Sequence, residues 1–186
     1  GEEWKEYPLT TSGIYIQYKI GADNAWALDI QQRCCTTVAA MKIAKDMIIA
    51  DESLHTVMIV GGYRNGDFID FEDSAVSFMY NLSAGAGAII VKRNNNKNLI
   101  LGTHVVTDGS LARAAGVKYG GTENPINAEN HHLAYKSLKV FDEKFMKDRL
   151  NEVSMKNWFH CIDKAFEKSS IRKDELGFLC CLHFKK

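Results

Sequence analysis

The run Ala27, Leu28, Asp29, Ile30, Gln31, Gln32, Arg33, Cys34 decides how the rest of the chain is read. Its first half closes a nearly continuous apolar segment, Ala25 to Ile30, of the kind expected of a strand covered on both faces. Three polar residues then lead into a segment from Cys34 to about Ala50. There the apolar side chains Val38, Ala39, Ala40, Met41, Ile43, Ala44, Met47, Ile48 and Ile49 surround most of a helix rather than forming one stripe. The expectation is a central, buried helix entered from a buried strand at Cys34. A cysteine at a helix start meets the positive end of the helix dipole and free backbone N–H groups, both of which stabilise a thiolate, and Arg33 adds a neighbouring cation. Taken alone, a cysteine in such a place more often serves as a small apolar packing residue.

Working outward, Ile14, Ile16, Tyr18 and Ile20 alternate as in a strand, yet Ser12 could cap a short helix ending at Gly21, and both readings stand. Downstream, Thr56 to Val60 reads as a buried, parallel-type strand ending at Gly61 and Gly62, which completes a strand, helix, strand unit from Trp26 to Val60. Tyr63 to Ser74 is polar and glycine-containing, a surface excursion. The glycine-rich stretch Gly85, Ala86, Gly87, Ala88 leads into a strand from Ile89 to Lys92, with Leu99 to Val106 expected as its antiparallel partner. After loops from Thr107 to Asn130 come two expected helices, 141–150 and 156–167, and a final strand from Leu176 to His183. A chain that stops directly after a core strand reads as a fragment.

The bulk properties exclude several classes. At 186 residues, 46% hydrophobic and 25% charged, the composition is that of a globular protein with room for one sizeable core or two small ones. Lys and Arg total 23, as do Asp and Glu, so no global field draws nucleic acid or an anionic membrane. No apolar run approaches the roughly 18 to 20 residues needed to span a bilayer, and the first residues lack a basic segment followed by an apolar one. The expectation is a soluble, cytoplasmic chain. Five cysteines, four of them in the adjacent pairs Cys34, Cys35 and Cys180, Cys181, do not make a disulfide framework or a zinc motif.

Gly85 to Ala88 invites comparison with phosphate-binding loops, but those open a helix, and this stretch opens a strand. Close backbone packing is the simpler role for its glycines. His183 ends the apolar run Leu179, Cys180, Cys181, Leu182, at the end of an expected buried strand, where sites of layered α/β folds gather. His55, His104, His131, His132 and His160 lack metal-ligand spacing and are assigned to surface or turn positions, so no metal site is expected.

Four segments in order resemble one family, the beta-ketoacyl-acyl-carrier-protein synthase III enzymes. Ala27 to Cys34 resembles the family's strand-to-nucleophile segment, with an aspartate five residues before the cysteine. Val57 to Gly62 is similar to the following strand and glycine, Ser83 to Ala88 to a Gly-Asp-Gly-Ala-Gly-Ala stretch, and the helix before Asp174, Glu175 and Leu176, leading to His183, to the approach to the catalytic histidine. Ser83 and Ala84 depart from the first Gly-Asp of that stretch. Phe184, Lys185 and Lys186 stand where the family has Gln-Ala-Asn.

The resemblance implies a thiolase-like layered α/β fold (helix/sheet/helix/sheet/helix), here incomplete at both ends. Residues 1–110 would be the remainder of an N-terminal half carrying Cys34, and residues 111–186 the start of a C-terminal half carrying His183. It implies that Cys34 is acylated by an acyl thioester and that His183 assists decarboxylation of a malonyl thioester. Backbone N–H groups would hold the oxyanion, and Gly85 and Gly87 would border the substrate. Acyl-CoA and malonyl-acyl-carrier protein would be substrates, with no cofactor. Acyl carrier protein and coenzyme A thioesters would be the partners of a homodimer that binds neither nucleic acid nor membrane. Two alternatives stand beside condensation: acyl transfer to oxygen or nitrogen on the same fold, and a non-catalytic acyl-binding or partner subunit.

Overall fold

The computed structural model of the protein describes residues 5–181. It divides into two compact units interleaved in sequence. The first takes Gly1–Arg64 and Ala84–Ile100, the second Asn65–Ser83 and Leu101–Lys186.

In the first unit, α1 (Ser12–Lys19) answers the ambiguity upstream: the segment is helical. Its alternating isoleucines do not bury one face, since Ile14, Tyr15, Tyr18 and Ile20 are all exposed. The cap decides the conformation instead. Asp29, distant in sequence, accepts the first backbone N–H groups of the helix, from Ser12 at 3.0 Å and Gly13 at 2.8 Å, and its Oδ2 also receives the Lys5 ammonium at 2.6 Å. Gly13 is required by this approach, because a Cβ there would lie 3.0 Å from the Leu28 carbonyl oxygen and 3.2 Å from Asp29 Oδ1.

The strand expected over Ala25 to Ile30 is irregular in the structure. Among the described residues the only ladder of this unit joins two other strands, and Asp29 is engaged in capping α1. Helix α2 (Thr36–Ala50) follows a 3-10 turn, Arg33–Cys35, and so matches the expected segment closely. It is not buried all round: only Ala40, Ala44 and Ile48 are buried, one stripe at a spacing of four, while Val38, Ile43 and Ile49 face out.

That stripe packs on β1 (Thr56–Arg64) and, more lightly, on β2 (Ala84–Lys92). The pair is antiparallel, Thr56 opposite Lys92 through Arg64 opposite Ala84. This corrects the parallel-type reading of Thr56 to Val60 and replaces Leu99 to Val106, which is irregular, as the partner of the second strand. The strand runs on through Gly61 and Gly62 because both pair with residues of β2, Gly87 and Ala86.

Arg93, just past β2, ties this unit together at the other end of α2. Its backbone N–H donates to the His55 carbonyl at 2.9 Å. Its guanidinium donates to the carbonyls of Asp51 at 2.7 Å, Leu54 at 3.3 Å and, closest, Ile48. A cation here serves the Ile48 carbonyl in the last turn of the helix and two carbonyls of the following turn, and complements the negative end of the helix dipole.

The second unit contains the short antiparallel pair β3 (Ala115–Val117) and β4 (Leu138–Val140); Ile69 and Val76 are fully buried, and the 3-10 turn that carries Val76 packs on β4. Asp73 caps a 3-10 turn at Ala75 and receives Lys139 of β4 at 2.6 Å. The lysine bond holds its carboxyl below the usual range against the opposing effect of desolvation. One helix, α3 (Glu143–Ser169), replaces the two expected. Asn151 to Met155 contains neither proline nor glycine, so nothing interrupts the hydrogen-bond ladder between them. Asp142 caps it by accepting the Phe145 N–H at 2.8 Å, and Ser170 ends it in the left-handed region. Arg149 of α3 reaches Asp108 at 2.8 Å, and Asp108 in turn orders Ser110. Leu176 to Cys181, expected to begin the final strand, is irregular, with Phe178 and Leu179 exposed. Among the described residues no strand pairs with it.

Candidate functional site

Cys34 lies in the 3-10 turn Arg33–Cys35 that feeds α2, and both Cys34 and Cys35 are exposed. The expectation of a cysteine at the junction of a buried strand and a buried helix is therefore corrected on both counts. The position at a helix start holds, but among the described residues no strand precedes it, and the surface there is open.

The turn is built from an unusual backbone. Arg33 has φ 49°, a left-handed conformation that costs an L-residue with a Cβ roughly 1–2 kcal/mol. Four bonds hold it there, one of them from the Thr36 backbone N–H to the Arg33 carbonyl. The Thr36 hydroxyl donates to the Arg33 carbonyl at 2.7 Å and accepts the Gln32 N–H at 2.8 Å, and the Cys35 N–H donates to the Gln32 carbonyl at 3.1 Å. Threonine at a helix start is ordinary, so the sequence does not single out Thr36. Its signal would have been the absence of glycine on either side of a sharp entry.

Upstream, Asp29 keeps the segment before the turn in place. Burial opposes its ionisation, but the hydrogen bond from Lys5, the N–H groups of Gly13 and Ser12, and the lysine charge together outweigh this and hold its carboxyl below the ordinary value.

Gly85 and Gly87 lie on β2, opposite Tyr63 and Gly61, and both are exposed. No heavy atom comes within 4 Å of where a Cβ would sit on either. Close packing is thus not what selects glycine there, contrary to the role expected of them. At Gly62 the approach is closer, with the Ala86 Cβ at 3.3 Å. As anticipated, the glycine-rich stretch forms a strand rather than opening a helix. Cys34, Gly85 and Gly87 all belong to the first unit. His183 lies outside the described residues.

The second unit holds a cluster that sequence reading did not assemble. His104 and His160 meet edge to face at 5.2 Å between ring centres, and Lys168 Nζ lies 3.2 Å from His104 Nδ1 and 3.1 Å from the Thr103 carbonyl. Desolvation, then the charge of Lys168, holds the His104 imidazole below its ordinary pKa. His160, Lys164 and Lys168 recur every four residues along α3, a one-face spacing visible in the sequence. The backbone at Gly102 comes tightly against the end of α3. A Cβ there would meet the Ala165 carbonyl oxygen, with Ser169 N at 2.8 Å and the Lys168 carbonyl carbon at 3.1 Å. Among the described residues no three His, Cys, Asp or Glu side chains converge as a metal site. None of their helices is long and apolar enough to cross a membrane.

A cysteine raised on a turn at the start of a helix, followed by two strands of which the second is glycine-rich, is the arrangement to compare with known proteins. The family model described as 3-Oxoacyl-[acyl-carrier-protein (ACP)] synthase III matches residues 28–109, which contain the turn, α2 and both strands. The beta-ketoacyl-[acyl-carrier-protein] synthase III of Aquifex aeolicus is 31% identical over 176 residues, covering 94% of this chain and 48% of its own length. The chain is similar to the synthase III family. The synthase III of Azobacteroides pseudotrichonymphae is 25% identical over 179 residues, again 94% of this chain and 50% of the relative.

The crystal structure of 3-oxoacyl-[acyl-carrier-protein] synthase III from Aquifex aeolicus VF5 superposes with a TM-score of 0.66 at 22% identity, over 92% of this chain and 48% of that one. A second 3-oxoacyl-(acyl-carrier-protein) synthase III structure gives a TM-score of 0.61 at 20% identity. The fold class is therefore the α/β, thiolase-like one expected from the sequence. The chain spans about half the length of the synthase III relatives it matches.

Proposed function

We propose that the protein is an acyl-transferring condensing enzyme of the synthase III kind, with Cys34 as the acyl acceptor. The observation that supports this best is Cys34 itself, an exposed thiol on a bonded turn at the start of α2, within the stretch that matches the family model. In the first half-reaction the Cys34 thiolate adds to the carbonyl carbon of an acyl-CoA thioester, and coenzyme A leaves as its thiol on taking up a proton. In the second, a malonyl group on acyl carrier protein loses carbon dioxide. The carbanion equivalent attacks the acyl carbon, and the Cys34 thiolate departs.

The same reading gives His183 the task of assisting decarboxylation, and makes Gly85 and Gly87 part of the substrate border. It keeps residues 1–110 and 111–186 as portions of the two thiolase halves. Thioester substrates supply the reactive groups, so the chemistry calls for no metal or organic cofactor. A homodimer and a cytoplasmic setting belong to the same proposal.

Incubating the full-length protein with acyl-CoA thioesters of graded length and mapping added mass by peptide tests the first step. An acyl adduct confined to Cys34 is expected. Absence of an adduct with every chain length overturns the reading and leaves the non-catalytic partner in its place.

Phe184, Lys185 and Lys186 favour a second reading, because they stand where the resembled family has Gln-Ala-Asn. On that reading the acyl group passes from Cys34 to oxygen or nitrogen. Release of carbon dioxide from malonyl-acyl-carrier protein separates the two, since only condensation produces it.

A further inference from the structure

We infer that Thr36 is a positioning residue for Cys34, its hydroxyl bridging the Gln32 N–H and the Arg33 carbonyl so that the thiol is carried on a fixed, outward turn. This rests on the proposed role of Cys34 as acyl acceptor. Arg33 occupies the left-handed region with φ 49°, where glycine is the usual occupant, and Gln32 before it is also irregular at φ −149° and ψ 42°. Such a bend persists in non-glycine residues only when its surroundings hold it.

The Thr36 side chain does this by joining the two peptide groups that flank the Gln32–Arg33 peptide. It gives its proton to the Arg33 carbonyl at 2.7 Å and takes the Gln32 N–H at 2.8 Å. The Thr36 backbone N–H also points to the Arg33 carbonyl, and Cys35 N–H closes on the Gln32 carbonyl at 3.1 Å. Cys34 is therefore bracketed by the Arg33 carbonyl and the Cys35 N–H, both bonded within the same short turn. The β-branched threonine has few χ1 choices, so its hydroxyl is held ready for this geometry, whereas serine keeps the group with more freedom. Valine keeps the shape and removes both bonds.

The test compares Thr36→Val, Thr36→Ser and Arg33→Gly, alone and combined, in the full-length protein. Alkylation by iodoacetamide is followed peptide by peptide with the half-buried Cys161 as internal reference, and acyl loading from acyl-CoA is followed at Cys34. Reacting groups misplaced by about 1 Å lose rate steeply, so Thr36→Val is expected to slow both reactions of Cys34 about tenfold relative to Cys161, with the acyl-CoA concentration dependence unchanged. Thr36→Ser is expected to recover most of the rate. In the Arg33→Gly background the left-handed turn no longer needs a clamp, and Thr36→Val should cost about threefold or less.

Equal Cys34 rates in wild type and Thr36→Val overturn the inference. So does a Val variant in which all five thiols become reactive together, because the clamp is local to one turn. A wild-type protein that is alkylated at Cys34 but never acylated overturns the acyl-acceptor reading instead, and the alkylation series still decides the clamp.

Discussion

Asp29 caps α1 from outside the helix, its Oδ1 accepting the Gly13 N–H at 2.8 Å. The two residues make each other necessary. The carboxylate can approach only because position 13 lacks a Cβ, and the helix start needs an acceptor because Thr11, at its N-cap, makes no side-chain bond. Gly13→Ala would place a methyl group 3.0 Å from the Leu28 carbonyl, a backbone atom that can yield only by moving the segment leading to Cys34. The expected loss is roughly 1–3 kcal/mol, as for other overpacked sites, read by urea denaturation. An Ala variant as stable as wild type would show that the cap is dispensable.

The same carboxylate predicts an acid-side loss of stability. Its folded pKa is depressed below the ordinary 3.8, so the unfolded chain takes up the proton first as pH falls. The stabilisation is complete above that value and drains away as pH drops through the folded pKa. Asp29→Asn cannot titrate, so its urea midpoint should start lower at pH 7 and change less between pH 4 and pH 3 than that of wild type. Parallel curves for the two proteins would remove Asp29 from the acid transition.

Arg93 predicts a different kind of fragility, at the far end of α2. Arg93→Ala would leave the carbonyls of Ile48, Asp51 and Leu54 without the guanidinium that now serves all three. Hydrogen bonds to a charged group contribute about 1.5–3 kcal/mol each at most, and one side chain removed costs on that order in total. Lysine should recover only part, because a single ammonium cannot match the planar fork that spans three acceptors. Amide hydrogen exchange between Asp51 and His55 should quicken in the Ala variant; unchanged exchange there would mean that the α2–β1 turn stands without Arg93.

These long-range polar contacts also explain what could and could not be read from the sequence. Helix α2 and the strand starting at Thr56 were legible because apolar spacing and turn residues are local signals. The strand near Ile89 was legible too, but its pairing was not: β1 and β2 are joined through Asn65–Ser83, far longer than any hairpin turn, and a long excursion resembles a crossover. The cap on α1 and the Arg93 clamp each reach far along the chain, where no periodicity points. At the candidate site, Cys34 was legible as a helix start next to a polar entry. The left-handed Arg33 and its Thr36 clamp were not, since arginine carries no preference for that conformation.

The contact between His104 and Lys168 gives a prediction that can be read at a single proton. The imidazole is held below its ordinary value of 6.5 first by desolvation and then by the Lys168 charge, with His160 and Lys164 adding to the effect and Glu167 opposing it. Lys168→Met removes a cation 3.2 Å from Nδ1 and should move the His104 midpoint upward, toward 6.5, in an NMR titration of the imidazole ring. Because the folded pKa lies below the unfolded one, wild-type stability should fall as pH drops below 6.5 and level off once the folded imidazole has titrated. The Met variant should fall less over that interval. Gly102 sits against the same end of α3, so any swelling there that lets water reach His104 would relieve the desolvation as well. A midpoint that stays where it was in Lys168→Met would remove the Lys168 charge from the causes of the depression and leave it to desolvation, His160 and Lys164.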